Sequence, residues 1–259
     1  MGALVLAQGG KFQPPGAEAF DLPPIFGGVT KPMILIVLSV LIIGVYFLVA
    51  TRNLKLVPGK GQFVAEFLYE FSRNNIARDQ IGAKEFRRFV PLIFALFTFV
   101  LVNNIFGIIP LIQFPTMSRI GFPVALFLVA YVVIHTVGFA RHGFLGYFKH
   151  VMFPPGVPKP IYVLLAPIEF FQKFIAQPVA LAIRVFAAMF AGHLILMVFA
   201  LGGEYLLVEA GAAFKPVSIV AFAFAIALTF VEALIQVLQA YIFALLTANF
   251  IGSALAQEH

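Results

Sequence analysis

The sequence predicts an all-α polytopic membrane protein, and three observations carry that reading. Hydrophobic residues make up 62% of the chain against 11% charged, with a mean hydropathy of +1.02, an excess no soluble core needs. Apolar runs long enough to cross a bilayer alternate with short basic segments. The formal net charge of +6 sits in those segments, so it reads as loop topology rather than as a nucleic-acid surface. The absence of cysteine excludes disulfides, thiol chemistry and Cys-ligated metals. Tryptophan is absent too, which leaves Tyr46, Tyr69 and Tyr147 as interface anchors.

The chain divides into an N-terminal extracytoplasmic segment, 1–32, and one transmembrane domain, 33–259. Residues 1–8 are apolar but short, and no basic residue precedes them, so they do not read as a cleaved signal. Gly2 lacks the Ser or Thr at position 6 that myristoylation requires. Residues 12–31 are rich in Pro and Gly and read as an extended, poorly ordered entry strand. The first span is 33–50. A basic loop follows, in which Phe63, Phe67, Phe71 and Ile76 recur near helical spacing opposite Glu66, Glu70 and Arg73. That pattern predicts an amphipathic surface helix over 62–80. Residues 89–111 and 120–140 form a hairpin of two further spans, and a second basic loop carries Arg141, Lys149 and Lys159.

The runs 161–201 and 214–255 are too long for ordinary spans. Each would reach ~60 Å as one helix, about twice the hydrocarbon thickness, so each is a hairpin or a strongly tilted helix. Pro167 and Pro178 can bend the first. The second has no proline from 217 onward, which favours one long tilted helix whose flanks another protein must cover. Five crossings, with the basic loops cytoplasmic by the positive-inside rule, put the N-terminus outside and the C-terminus inside.

Arg184 lies in the middle of an apolar run. A guanidinium stays charged in a protein, and at bilayer depth it costs roughly 3 kcal/mol on insertion scales. Such a cost marks an ion pathway or a counter-ion, unless the side chain snorkels to an interface. His193 is nine residues on, ~13 Å along the axis and on the opposite face. In the last helix Thr229, Glu232, Gln236 and Gln239 share one stripe, which is either a wet path or interhelical glue. A buried carboxyl beside an imidazole can pass a proton near neutral pH. Ala180, Ala187, Ala188 and Ala191 surround Arg184, so a partner helix can approach that charge closely. Asn103 and Asn104 are weaker candidates for an aqueous entry. Glu169 and Lys173, four apart, form a local ion pair or mark an exit path, and His135 reads as structural. No phosphate-cradling loop, HExxH pattern or nucleophile–base pair is present, so no cofactor or metal is implied.

The stretch 177–194, with Pro178, Arg184, Phe186, Gly192 and His193, resembles the signature of subunit a of the rotary ATP synthase membrane sector. The last helix is similar too, with Glu232 seven residues before Gln239 and Tyr241 just beyond. Asn104, Gly107 and Pro110 look like that family's entry motif. The resemblance covers essentially the whole chain. It implies a stator subunit in a bacterial plasma membrane, non-catalytic by itself. Its partners would be a ring of c subunits, the b subunits of the peripheral stalk, the bilayer and protons. Arg184 would face the ring; His193 and Glu232 would line the outer half-channel, with Asn104 in its entry motif; Gln239 would pack near the arginine; and Glu169 would belong to the inner half-channel. Gln236 is a further proton-translocation candidate, although by itself it reads sooner as interhelical glue. The chain departs from the pattern in three places. Ala188 stands where many members have Asn, Gln177 replaces a commonly basic residue, and Glu169 lies one residue further from the arginine. The competing reading is a proton-coupled secondary transporter, which would require inverted repeats, and the two halves do not match. A mere scaffold would leave Arg184, His193 and Glu232 unexplained.

Overall fold

The computed structural model describes residues 12–110, 112–153 and 158–256. The readings made of residues 1–8, and of Leu111 as the end of a span, lie outside them. Among the described residues there is no strand, only an isolated bridge between Phe26 and Val29. The helices are α1 (Lys31–Thr51), α2 (Lys60–Glu70, running on through a π turn at Phe71–Arg78 and a last turn at Asp79–Ile81), α3 (Val90–Ile105), α4 (Gly121–His142), α5 (Phe144–Met152), α6 (Tyr162–Val208) and α7 (Ala212–Leu255). Four of them, α1, α4, α6 and α7, are long and apolar enough to cross a membrane. The chain is therefore an all-α, multi-pass membrane protein.

Helix starts follow proline. Pro32, Pro91 and Pro216 each occupy a first turn, where the missing N–H would lack an intrahelical partner anyway. The helix α3 is shorter than the apolar run that contains it. It ends at Ile105, and turns follow through Gly107 and Pro110, with the Gly107 N–H donating to the Asn104 carbonyl and the Ile108 N–H to the Ile105 carbonyl.

α6 and α7 are single elements of 47 and 44 residues, ~70 and ~66 Å at 1.5 Å per residue. α6 contains a π turn at Gln172–Ala176, just before Pro178. Pro178 has no N–H to offer the carbonyl of Phe174, four residues back, and that oxygen accepts a hydrogen bond from Tyr131 Oη at 3.4 Å. Only a short turn separates the two helices, with Gly211 at φ +88°, a conformation that L side chains rarely adopt. The pair is thus an antiparallel hairpin.

The core sits around the second half of α7. Ala240, Phe243, Ala244, Ala248 and Ile251 have no exposed surface, and they pack with Ile93, Phe97 and Val100 of α3 and Phe127, Ala130 and Ile134 of α4. Their small, four-residue spacing lets three helices approach α7 closely. The amphipathic helix α2 is more than a surface float. Its C-terminal half turns inward, with Ile76 and Ala77 fully buried and Phe71 packed 5.6 Å from the rings of both Phe97 and Tyr241. The end of α2 lies on Gly252, where a Cβ would collide with the backbone carbonyl of Gln80.

That backbone contact yields a test. Gly252→Ala is expected to push the end of α2 off α7 at an overpacking cost of about 1–3 kcal/mol. The readouts are a lower melting temperature of the detergent-solubilised protein and faster proteolysis between 73 and 85.

Candidate functional site: a buried polar cluster and an outward arginine

The register of the α6–α7 hairpin is marked by one contact. His193 Nδ1 lies 3.4 Å from Glu232 Oε1, and both side chains are almost fully buried. The same Glu232 oxygen accepts a hydrogen bond from Gln236 Nε2 at 3.2 Å. The backbone carbonyl of Gln236 in turn accepts one from Asn104 Nδ2, also at 3.2 Å. Four of the expected residues, from α3, α6 and α7, therefore meet in one cluster. Its hydrogen bonding is incomplete within the protein. Asn104 Oδ1, Glu232 Oε2 and Gln236 Oε1 are buried and have no protein partner, a state that native interiors relieve with ordered water.

Asn103 differs from its neighbour. Its amide nitrogen donates to Ser39 Oγ and to the Phe99 carbonyl, and its amide oxygen accepts from Thr116 Oγ1. It is fully bonded and ties α1 to α3. Thr229 Oγ1 likewise turns back to its own helix, donating to the Ala225 carbonyl, so the wet stripe narrows to Glu232, Gln236 and Gln239.

Gly107 makes room for the cluster. A Cβ there would stand 2.9 Å from Gln236 Nε2 and 3.2 Å from the Asn104 carbonyl, so any side chain would displace the amide that bonds Glu232. Phe20 closes the other side, and nothing in the local sequence marked it. A 3-10 turn over Ala17–Phe20 docks this ring, 3% exposed, at 4.7 Å from Phe190 and edge-on at 6.0 Å from His193. Arg119 holds the turn in place. Its Nε donates to the Phe20 carbonyl, and its guanidinium pairs with Asp21 at 2.9 Å. The N-terminal strand is thus a docked strap. Long-range contacts of this kind leave no periodicity behind them.

Arg184 faces the other way. It lies nine residues before His193, half a revolution round, and is exposed together with Ala180, Ile183, Ala187 and Ala191. Among the described residues it has no acidic partner. Counting along the hairpin from the His193–Glu232 pair puts Gln239 level with Phe186, within a turn of Arg184. The Gln239 amide oxygen is buried without a protein partner. Glu169 is not part of this cluster. It pairs with Lys173 at 3.9 Å, half-buried, toward the start of α6. The π turn between Glu169 and Arg184 takes more residues per revolution than an α turn. It therefore absorbs part of the offset that fifteen residues would otherwise place between the two faces.

Comparison with known proteins bears on the whole of this arrangement. The family model described as ATP synthase A chain matches residues 33–252. The chain belongs to the ATP synthase A chain family. Among curated proteins, ATP synthase subunit a of Nocardioides sp. is 46% identical over 267 residues, covering 98% of this chain and 96% of that protein. The subunit a of Pseudarthrobacter chlorophenolicus is 46% identical over 263 residues, covering 99% and 98%. That of Streptomyces lividans is 40% identical over 254 residues, covering 96% and 89%. The match spans both the buried cluster and the outward arginine, so both belong to the ATP synthase A chain part of the sequence.

The strap predicts a change in accessibility. Phe20→Ala is expected to raise the rate at which diethylpyrocarbonate modifies His193 several-fold, read peptide by peptide by mass spectrometry. Arg119→Gln should give a smaller rise, and His142, at the far end of the bundle, should be unaffected by either.

Proposed function

We propose that this chain is the stator subunit of a proton-translocating rotary ATP synthase, with two proton half-channels that meet a ring of c subunits at Arg184. The observation that carries this reading is the division of polar groups on α6. A permanent cation faces outward among small residues, while a protonatable pair nine residues away faces inward. Family membership supports the coarser part, a subunit of the ATP synthase membrane sector. The subunit itself is non-catalytic in this reading.

The physics of the arrangement fits the task. A ring carboxyl travelling through lipid is kept neutral by desolvation, which raises its pKa. A guanidinium at ~4 Å, at an effective dielectric of ~20, favours its ionised form by about 4 kcal/mol. That is enough to release the proton beside Arg184. The exposed alanines at 180, 187 and 191 let a ring helix come that close. The outer half-channel is the cluster of Asn104, His193, Glu232 and Gln236, whose unpartnered atoms suit a chain of water. Gln239 sits where it can orient the arginine. The inner half-channel begins at the Glu169 end of α6. Arg184 lies between the two and repels a proton moving directly from one to the other. Lysine would serve poorly, because burial lowers its pKa and would neutralise it.

The length of α6 and α7, each more than twice a ~30 Å hydrocarbon layer, fits two steeply tilted helices lying along a curved ring. With the shorter apolar helix α3 counted as a fifth crossing, the basic residues after α1 and α4 support an N-terminus outside and a C-terminus in the cytoplasm of a bacterial plasma membrane. The b subunits of the peripheral stalk would hold the chain against the torque of the ring.

Inverted vesicles carrying the complex test this. Arg184→Ala is expected to abolish ATP-driven pumping while passive proton conduction, measured after the catalytic head is stripped, is retained or raised. Glu232→Gln should depress both, by tenfold or more if the carboxyl is an obligatory carrier. Normal pumping by an assembled Arg184→Ala complex would sink the stator reading and favour a transporter.

A further inference from the structure

At the other end of the α6–α7 hairpin lies a cavity of ≈ 100 Å³, room for several water molecules. Its walls come from four helices and include Tyr131, His135, Tyr147, Lys173, Gln177 and Asn249. It is not continuous with the His193 cluster. Gln177 is sixteen residues from His193, ~24 Å along α6. It is only seven residues from Arg184, ~10 Å away and within ~20° of the same face.

His135 is the one wall group built to exchange a proton. Its Nδ1 lies 3.0 Å from Tyr147 Oη, and its Nε2 is buried without a protein partner. The ring is caged by aromatics. Phe174 stacks on it at 4.9 Å and 7°, and Tyr131 stands edge-on at 4.0 Å, so the ring is held in one orientation with Nε2 free. Tyr147 reaches this position because Gly138 carries no side chain; a Cβ there would overlap the Tyr147 ring. Burial, followed by the nearby Tyr131, pushes the Tyr147 phenol up to about 12, so it remains a neutral partner at any physiological pH.

We propose that this cavity is the inner end of the proton path and that His135 is its relay, an inference that rests on the two-half-channel reading above. With Nδ1–H donating to the Tyr147 oxygen, the lone pair of His135 is on Nε2. A proton released beside Arg184 passes along water past Gln177 and binds Nε2, forming the imidazolium. The same proton then leaves Nε2 for water on the cytoplasmic side, and the neutral ring returns. Lys173 lines the cavity as a fixed positive charge partly offset by Glu169, which keeps the proton's stay on the imidazole short. The groups facing His135 are Tyr131 from its own helix, Tyr147 from α5 and Lys173 from α6. The lining from α7, Asn249, Phe250, Ser253 and Ala254, is neutral.

The test uses inverted vesicles, in which the bath is the cytoplasmic side. His135→Gln preserves a hydrogen bond to Tyr147 but cannot titrate. It is expected to lower ATP-driven pumping and passive conduction several-fold and to remove the dependence on bath pH that wild type shows near neutrality. Tyr147→Phe should give a smaller loss and shift that dependence. An assembled His135→Gln complex with wild-type rate and wild-type pH profile would overturn the proposal. So would a lowered rate with an unchanged profile, which is what a packing role gives. Arg184→Ala in the same vesicles separates the two levels: if it pumps normally the stator reading has failed, and if it does not, the outcome at His135 bears on the relay alone.

Discussion

With Glu232 Oε1 held 3.4 Å from His193 Nδ1, the antiparallel register of α6 against α7 is fixed, and every other polar position in the membrane interior follows from it. A slip of one helical turn would move Gln239 away from the level of Arg184 and replace the Glu232 carboxyl opposite the imidazole by the Thr229 hydroxyl or the Gln236 amide. The register is reinforced from behind. Ala240, Ala244 and Ala248 have no exposed surface, so the four-residue row that grips α3 and α4 leaves α7 no freedom to slide. Packing along the second half of α7 therefore holds the polar groups one to two turns before it in place.

The same helices separate two kinds of polar group by direction. Polar atoms inside a bundle must find partners, and Asn103 shows the complete case, bonded to Ser39, Phe99 and Thr116. The cluster of Asn104, Glu232 and Gln236 stops short of that, and its spare acceptors need water. Arg184 finds no acidic partner among the described residues and looks outward. An incompletely bonded cluster inside, with an unpaired cation outside, is costly for a protein on its own. In the proposed complex, water relieves the first cost and a ring carboxylate the second.

Proline and glycine settle much of the detail. Pro178 and the π turn before it free the Phe174 carbonyl for Tyr131, which helps to wall the cavity at the start of α6. Gly107 lets Gln236 reach Glu232, and Gly252 lets the end of α2 rest on α7. None of these positions carries a functional group. Each nonetheless decides how close two functional elements come.

Composition and periodicity by themselves determined the fold class, because a helix in lipid must satisfy its backbone internally and must be apolar along its length. They also determined that Arg184 and His193 point to opposite sides, since nine residues make two and a half turns whatever the surroundings. The family was legible for the same reason: the polar residues of α6 and α7 stand out against an apolar background. Only the tertiary structure decided which of those residues meet. Asn103 and Asn104 are adjacent in sequence, yet one is bonded glue and the other joins the cluster. Phe20, read as part of a loose segment, turns out to cap His193, and Arg119, read as part of a loop, holds it there. His135, read as packing, lines a cavity. Contacts between residues a hundred positions apart obey no period, so they are fixed by how the helices pack and not by the order of the chain.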